Sequence, residues 1–313
     1  MKILITGSGG LVGRALSERC HEHGDSVFAY PRQELDISDF ERVDSLLQQT
    51  QPDAVINCAA WTDVDGCEAD IERCEAINAL GPENLARACR RIDARFLTIS
   101  TDYVFDGTKE GFYTQRDDPN PLGVYAKAKL AGERQSQAAY ARTIIVRSGF
   151  IFGEGGKNFL STFLDRVRRG ERPKAIDDCW GTPTYANDLA LRLRELVVLD
   201  LPGIFHVVNS GEGTSYAAFG ETALSLAGFE ESIVETVSIR FLSRPAPRPR
   251  NSRLKCLLSP AIGLPLLPSW QDGLERFVSS LSQKQSQKIT TAVAHTQRNN
   301  HQIPTNPIKS QPF

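Results

Sequence analysis

The sequence predicts an α/β protein: a doubly wound parallel sheet followed by a smaller C-terminal lobe. Three observations carry that prediction. Apolar, β-rich runs recur through the first half with helical patterns between them, the first run leads straight into a glycine-spaced turn, and the alternation loosens after about residue 150. Strands alternating with helices pair in parallel through right-handed crossovers. Both faces of such a sheet are covered, so its strands read as unbroken apolar runs. Ile3-Leu4-Ile5-Thr6 and Ala54-Val55-Ile56-Asn57 read in this way.

Taken in order, the expected strands are 2–6, 26–30, 54–57, 95–100 and 143–147. A helix follows the glycine turn. A second, over 40–49, opens with Ser38 and Glu41 at capping-box spacing. Residues 67–91 read as one long helix interrupted near Gly81-Pro82. Beyond Phe150 the elements shorten: 174–177, 185–199, 204–208 and 216–227 are assigned to a substrate-covering lobe. The run Arg244–Arg253 is basic and proline-punctuated, hence a loop, and 269–281 closes the body as an amphipathic helix carrying Trp270, Leu274, Phe277 and Leu281. From Gln283 to Phe313 the chain is rich in Gln, Asn, Thr, Ser and Pro and has no acidic residue. It cannot bury enough apolar area to offset its ordering entropy, and a disordered tail is expected. The expected organisation is a first domain over 1–150 that also receives some later segments, a lobe over 151–282 and a tail over 283–313.

Composition excludes several classes. The 313 residues carry a formal net charge of −2, which gives no basic face for nucleic acid. No apolar run approaches the roughly 18 residues of a membrane span. The seven cysteines are scattered, odd in number and without C-x-x-C spacing, so they read as small buried side chains in a reducing cytoplasm. The five histidines lack ligand spacing and read as surface residues; Trp180 and Trp270 read as packing residues. The acidic run Asp63, Asp65, Glu68 and Asp70 reads as a solvated helix start rather than a metal site.

Two motifs carry chemistry. Strand 2–6 runs into Gly7-Ser8-Gly9-Gly10-Leu11-Val12-Gly13 and then a helix. Gly7 permits the turn, Gly10 lets backbone approach a pyrophosphate, and Gly13 lets helix pack on strand; the helix N-terminus then faces the anion. This is a Rossmann-type dinucleotide site. The second strand ends in Tyr30-Pro31-Arg32 in place of the acidic residue that would hold a ribose 2′-hydroxyl, so Arg32 favours NADPH, with NADH the alternative if Arg32 is only a solvated surface residue. The second motif is Tyr125-Ala-Lys-Ala-Lys129, which sets a phenol and an ammonium one helical turn apart. The ammonium is expected to lower the phenol pKa. Thr101 ends the fourth strand at the sheet edge where ligands bind, able to bond the same substrate oxygen.

The combination resembles the extended short-chain dehydrogenase/reductase superfamily and, within it, the dTDP-4-dehydrorhamnose reductase family. The resemblance covers about residues 1–282. It rests on INCAAWTDVDGCEAD (56–70), STDYVFDG (100–107), PLGVYAKAKLAGE (121–133), GTPTYANDLA (181–190) and RPRNSRL (248–254). It implies NADPH-dependent reduction of the C4 keto group of dTDP-4-dehydro-L-rhamnose, with Tyr125 as proton donor, Lys129 as partner of the nicotinamide ribose and Thr101 tuning Tyr125. Gly10, Leu11 and Val12 would line the pyrophosphate, and Asp36 and Ile37 the adenine. Ala60, Trp61 and Thr62 would touch the cofactor, with Asn78 nearby. Thr101, Asp102 and Phe150 would meet the sugar nucleotide, and Arg248, Asn251 and Ser252 its diphosphate. The implied partners are a dTDP-sugar and a second copy in a homodimer. Some members bind Mg²⁺ between subunits; one of those positions is Ala15 here, so the Mg²⁺ question stays open and no metal ligand is assigned. The chain departs from the family in having Phe150 for Trp, Asp178-Cys179-Trp180 for D-Q-x, and Ala126 for Gly. Two other readings accompany this one: a non-catalytic NADP-binding regulatory subunit like the β-subunit of methionine adenosyltransferase, and a reductase or epimerase of another nucleotide sugar.

Overall fold

The computed structural model describes residues 1–283 apart from 157, 231 and 232. Its first half runs β1 (Lys2–Thr6), α1 (Leu11–Glu22), β2 (Ser26–Tyr30), α2 (Phe40–Thr50), β3 (Ala54–Asn57), α3 (Val64–Ala69), α4 (Ile71–Glu75), a π-helical turn (Ala76–Leu80), α5 (Gly81–Arg91), β4 (Arg95–Thr101), α6 (Val124–Ala139) and β5 (Thr143–Ser148). Then follow β6 (Ile151–Phe152), α7 (Phe159–Arg168), β7 (Lys174–Ile176), β8 (Trp180–Gly181), β9 (Thr184–Tyr185), α8 (Ala186–Leu199), β10 (Gly203–His206), β11 (Thr214–Ser215), α9 (Tyr216–Leu226), β12 (Glu235–Val237) and α10 (Leu258–Ala261). A last helix, α11, covers 270–283.

The expected doubly wound sheet is present. Six parallel strands lie in the order β10-β5-β4-β3-β1-β2, so the winding reverses beside β1. Successive side chains on a strand point to opposite faces. Ile3, Ile5 and Ile56 therefore pack with Leu16 of α1 and Leu189, Leu193 and Leu196 of α8. Leu4 and Val55 pack the other way, with Val43 and Leu47 of α2 and Leu85 and Cys89 of α5. A separate cluster joins α7, α9 and α11 through Leu160, Phe163, Phe219, Trp270 and Phe277.

Several local expectations need correcting. The cap of α2 is Asp39, which accepts from the Arg42 N–H; Ser38 is spent on Asp36. The long helix over 67–91 is in fact broken at Asp70, which caps α4, and underwound into a π-helical turn at 76–80, whereas Pro82 sits harmlessly in the first turn of α5. Residues 185–199 and 204–208 do not belong to the lobe: α8 covers the sheet and β10 extends it beside β5, since both carry apolar faces that match its edge. Pairing in the sheet buries His206, against the surface reading. Trp180 is exposed rather than packed, while Trp270 is buried. All seven cysteines are free, and five of them are buried. Apart from Gln283, the expected disordered tail lies outside the described residues. Among the described residues no helix is long and apolar enough to cross a membrane.

Candidate active site

The glycine turn is forced by backbone crowding. Gly7 has φ +64°, and a Cβ on it would lie 2.6 Å from the Ala59 nitrogen; one on Gly13 would lie 2.4 Å from the Gly7 carbonyl oxygen. Helix α1 starts at Gly10 without a side-chain cap, which leaves its first N–H groups for an anion. Two contiguous hollows open there, at the carboxyl ends of β1, β3 and β4. One, of about 290 Å³, is lined by Arg32, Asp36, Ile37, Ala60 and Trp61. The other, of about 650 Å³, is lined by Gly10, Leu11, Val12, Gly13, Thr62, Thr101, Asp102, Tyr125, Lys129 and Phe150. The first holds the groups expected around adenine and its ribose. Asn57 shapes the floor: its amide donates to Thr98 Oγ1 (2.9 Å), and its Oδ1 accepts from Thr6 Oγ1 (2.6 Å) and the Ala59 N–H (3.1 Å). That turns the chain out of β3 toward Ala60–Thr62. Asn78 does not line the cleft. Its side chain is consumed by the Trp61 backbone, N–H and carbonyl both at 3.0 Å, so it holds the segment that does.

The three residues expected to carry the chemistry line the larger hollow together. Tyr125 is the second residue of α6 and Lys129 lies one turn later; both are buried. Lys129 Nζ donates to the Ile99 carbonyl at 2.7 Å. Thr101 Oγ1 donates to Asp102 Oδ1 (3.1 Å), accepts the Tyr103 N–H (3.2 Å) and faces the Tyr125 phenol. Burial governs the charges. It pushes the Tyr125 phenol well above its ordinary range, against the favourable Thr101 contact. It pushes Lys129 down to about 8 and Asp102 up to about 6. The expectation that Lys129 lowers the phenol pKa is therefore corrected: the ammonium is held on Ile99, and desolvation dominates the phenol.

The side of the cleft expected to meet the sugar nucleotide is aromatic. Phe150 takes the left-handed region (φ 49°), a conformation costing of order 1–3 kcal/mol that packing must hold. Its ring lies 4.2 Å from Tyr216 and 4.9 Å from Phe219. Ser252 contacts Asp102. Arg248 lines an adjoining hollow of about 540 Å³ with Tyr216, Phe159, Arg166, Lys174 and Arg244. Its guanidinium grips both oxygens of Asp65 at 2.9 Å, which holds that carboxyl below its usual range. Asn251 is not brought to the cleft; it donates to the carbonyls of Lys109 and Gly111 at 2.7 Å each and ties loops together. Tyr103 and Tyr216, both on the cleft wall, escaped sequence reasoning. Tyr103 follows the singled-out Thr101-Asp102 and could have been found there. Tyr216 opens a helix 66 residues beyond Phe150, and no local signal marks it. Among the described residues no group of three or more His, Cys, Asp or Glu is placed to hold a metal ion.

A family model described as the RmlD substrate binding domain matches residues 1–283. A dTDP-4-dehydrorhamnose reductase of Mycobacterium tuberculosis is 36% identical over 283 residues, covering 87% of this chain and 91% of the relative. One from Streptomyces griseus is 37% identical over 277 residues, with the same shares covered. A crystal structure of dTDP-4-dehydrorhamnose reductase from Bacillus anthracis in complex with NADP superposes with a TM-score of 0.86 at 32% identity, covering 89% of this chain and 99% of that one. With a matching model over nine-tenths of its length and relatives above 30% identity, the chain belongs to the RmlD family, that of the dTDP-4-dehydrorhamnose reductases.

Proposed function

We propose that this chain is an NADPH-dependent oxidoreductase that reduces the C4 keto group of dTDP-4-dehydro-L-rhamnose to dTDP-L-rhamnose, the product destined for cell-surface polysaccharide. The observation that carries this reading is the convergence of Thr101, Tyr125 and Lys129 on one wall of a cleft whose other end is the glycine turn. The cradle fits a dinucleotide: crowding demands glycine at positions 7 and 13, uncapped N–H groups of α1 suit a pyrophosphate, and Arg32 stands beside the adenine hollow with no hydrogen bond of its own among the described residues. Arg32 would hold the 2′-phosphate. When bound, NADPH supplies the hydride that the carbonyl carbon gains.

The chain supplies the proton and the alignment. Because burial keeps the Tyr125 phenol protonated at neutral pH, it stands ready as the general acid for the carbonyl oxygen. Thr101, its hydroxyl turned from Asp102, would donate a second hydrogen bond to that oxygen. Lys129, an ammonium below about pH 8 and steadied by the Ile99 carbonyl, would meet the nicotinamide ribose. Asp102 and Phe150 orient the sugar, and Arg248 in the cation-lined hollow takes the diphosphate.

The test is NADPH oxidation by the purified protein across a panel of nucleotide 4-keto sugars. The dTDP-4-dehydro-L-rhamnose reaction is expected to be fastest. Tyr125→Phe is expected to cut kcat by roughly 10²–10⁴ with NADPH binding intact. NADPH binding with no turnover on any sugar overturns the proposal in favour of a regulatory subunit. Faster turnover on another sugar reassigns the substrate.

A further inference from the structure

The acidic run 63–70 reads from sequence as a solvated helix start, and half of it behaves so: Asp63 caps α3 and Asp70 caps α4. The other half reaches across the molecule. Asp65 is held by Arg248. Glu68 Oε1 accepts the Val124 N–H at 2.8 Å. Val124 is the first residue of α6, and Tyr125 is the second.

The first N–H groups of a helix have no partner within it and are ordinarily satisfied by a side chain at the cap position. Gly123 occupies that position here and has no side chain to offer. Its bareness serves a different purpose. A Cβ on Gly123 would lie 2.7 Å from Glu68 Oε1 and 3.3 Å from Pro247 Cδ. The missing side chain lets a carboxylate from α3 close on the start of the helix, with the residue before Arg248 packed alongside. Tyr125 also packs in one cluster with Cys67 of α3, the neighbour of Glu68.

We propose that Glu68 is a positioning residue: by capping α6 from α3 it fixes the turn that carries Tyr125, and so sets the distance from the phenol to the substrate carbonyl. The inference rests on Tyr125 being the general acid of the proposed reaction. Proton transfer demands heavy-atom distances of about 2.6–3.2 Å, so slack of a fraction of an ångström at the first turn of α6 is felt in the chemical step. The glycine turn and the adenine hollow are built by other elements and take no residue from α6, so NADPH affinity depends on this turn far less than the proton transfer does.

The experiment compares Glu68→Ala, Glu68→Asp and Glu68→Gln with wild type in kcat, KM for the sugar nucleotide, KM for NADPH and melting temperature. Glu68→Ala is expected to lower kcat about tenfold or more with KM for NADPH within twofold. Glu68→Gln keeps an oxygen at the same reach and is expected to restore kcat to within about threefold of wild type. Glu68→Asp keeps the charge but withdraws the oxygen, and is expected to resemble the alanine variant; it decides the matter if the alanine variant does not fold. The proposal is overturned if Glu68→Asp turns over within twofold of wild type, if Glu68→Gln is as impaired as Glu68→Asp, or if the losses fall on melting temperature and KM for NADPH while kcat stays. Tyr125→Phe is assayed alongside. If it too retains full kcat, the assignment of the acid fails; if it is inactive while the Glu68 variants are normal, only the positioning role fails.

Discussion

Lys129 is the residue whose environment says most about its role. Its ammonium is buried and donates to the Ile99 carbonyl, and burial brings its pKa from 10.5 down to about 8. In the unfolded chain the same group holds its proton up to about 10.4. The folded state therefore binds fewer protons between about pH 8 and 10.5, and stability rises with pH across that window. Below pH 8 the full cost of the buried charge is present. Lys129→Met lacks this component. The unfolding free energy of wild type minus that of Lys129→Met is expected to rise from pH 7 to pH 10 by about 1–3 kcal/mol, read from denaturant titrations at both values. The wild-type kcat is expected to fall as pH rises above 8, as the ammonium is lost. A flat difference in stability would mean the lysine is not desolvated. The Tyr125–Lys129 pair itself was legible in the sequence, because a spacing of four puts two side chains on one helix face. The direction of the phenol shift was not legible. Spacing reports neighbours along one helix, whereas desolvation depends on what other elements close over it, here Tyr103 at 6.4 Å and Cys67 and Cys74 behind.

At the scale of elements, α6 is fixed at its start, middle and end by different neighbours. Glu133 accepts from Arg147 of β5 at 2.7 Å, a buried pair in which removing either partner strands a charge. Glu68 caps its start. Its middle lies on the π-helical turn, where a Cβ on Gly132 would come within 2.3 Å of the Asn78 carbonyl oxygen. Backbone on both sides leaves little room to yield. Gly132→Ala is expected to destabilise the protein by about 1–3 kcal/mol, seen as a lowered melting temperature, and to lower kcat by lifting Tyr125 and Lys129 from place. An unchanged melting temperature would show that α6 can slide. The sequence marks Gly81-Pro82 as the interruption in this region, because proline is the loud signal there. The actual break lies at Asp70, whose side chain caps α4, and the underwound turn Ala76–Leu80 carries Asn78, which holds the Trp61 backbone.

Across the whole molecule, Arg248 ties the basic loop 244–253 to α3 through Asp65 and opens onto the cation-lined hollow. Arg248→Ala is expected to raise KM for the sugar nucleotide roughly 10- to 100-fold, the loss of a charge-assisted hydrogen bond of about 1.5–3 kcal/mol, with KM for NADPH within twofold. Equal losses for both ligands would place Arg248 in the frame of the protein rather than at the substrate.

The sequence by itself determined what is periodic or contiguous. The five apolar runs mark five of the sheet's six strands, Gly7–Gly13 marks the crowded turn after the first, and Tyr125 and Lys129 share a helix face; each is a relation between residues a few positions apart. The family likeness of the motifs extends this to chemistry. Tertiary structure alone decided the relations between distant segments. It drew β10 into the sheet and buried His206, turned Asn251 inward to the carbonyls of Lys109 and Gly111, brought Tyr216 against Phe150, and set Glu68 on the first turn of α6. Local pattern is silent on such pairs because their energies come from burial and from satisfying polar groups. Both depend on which surfaces meet in the folded chain, not on the order in which their residues occur.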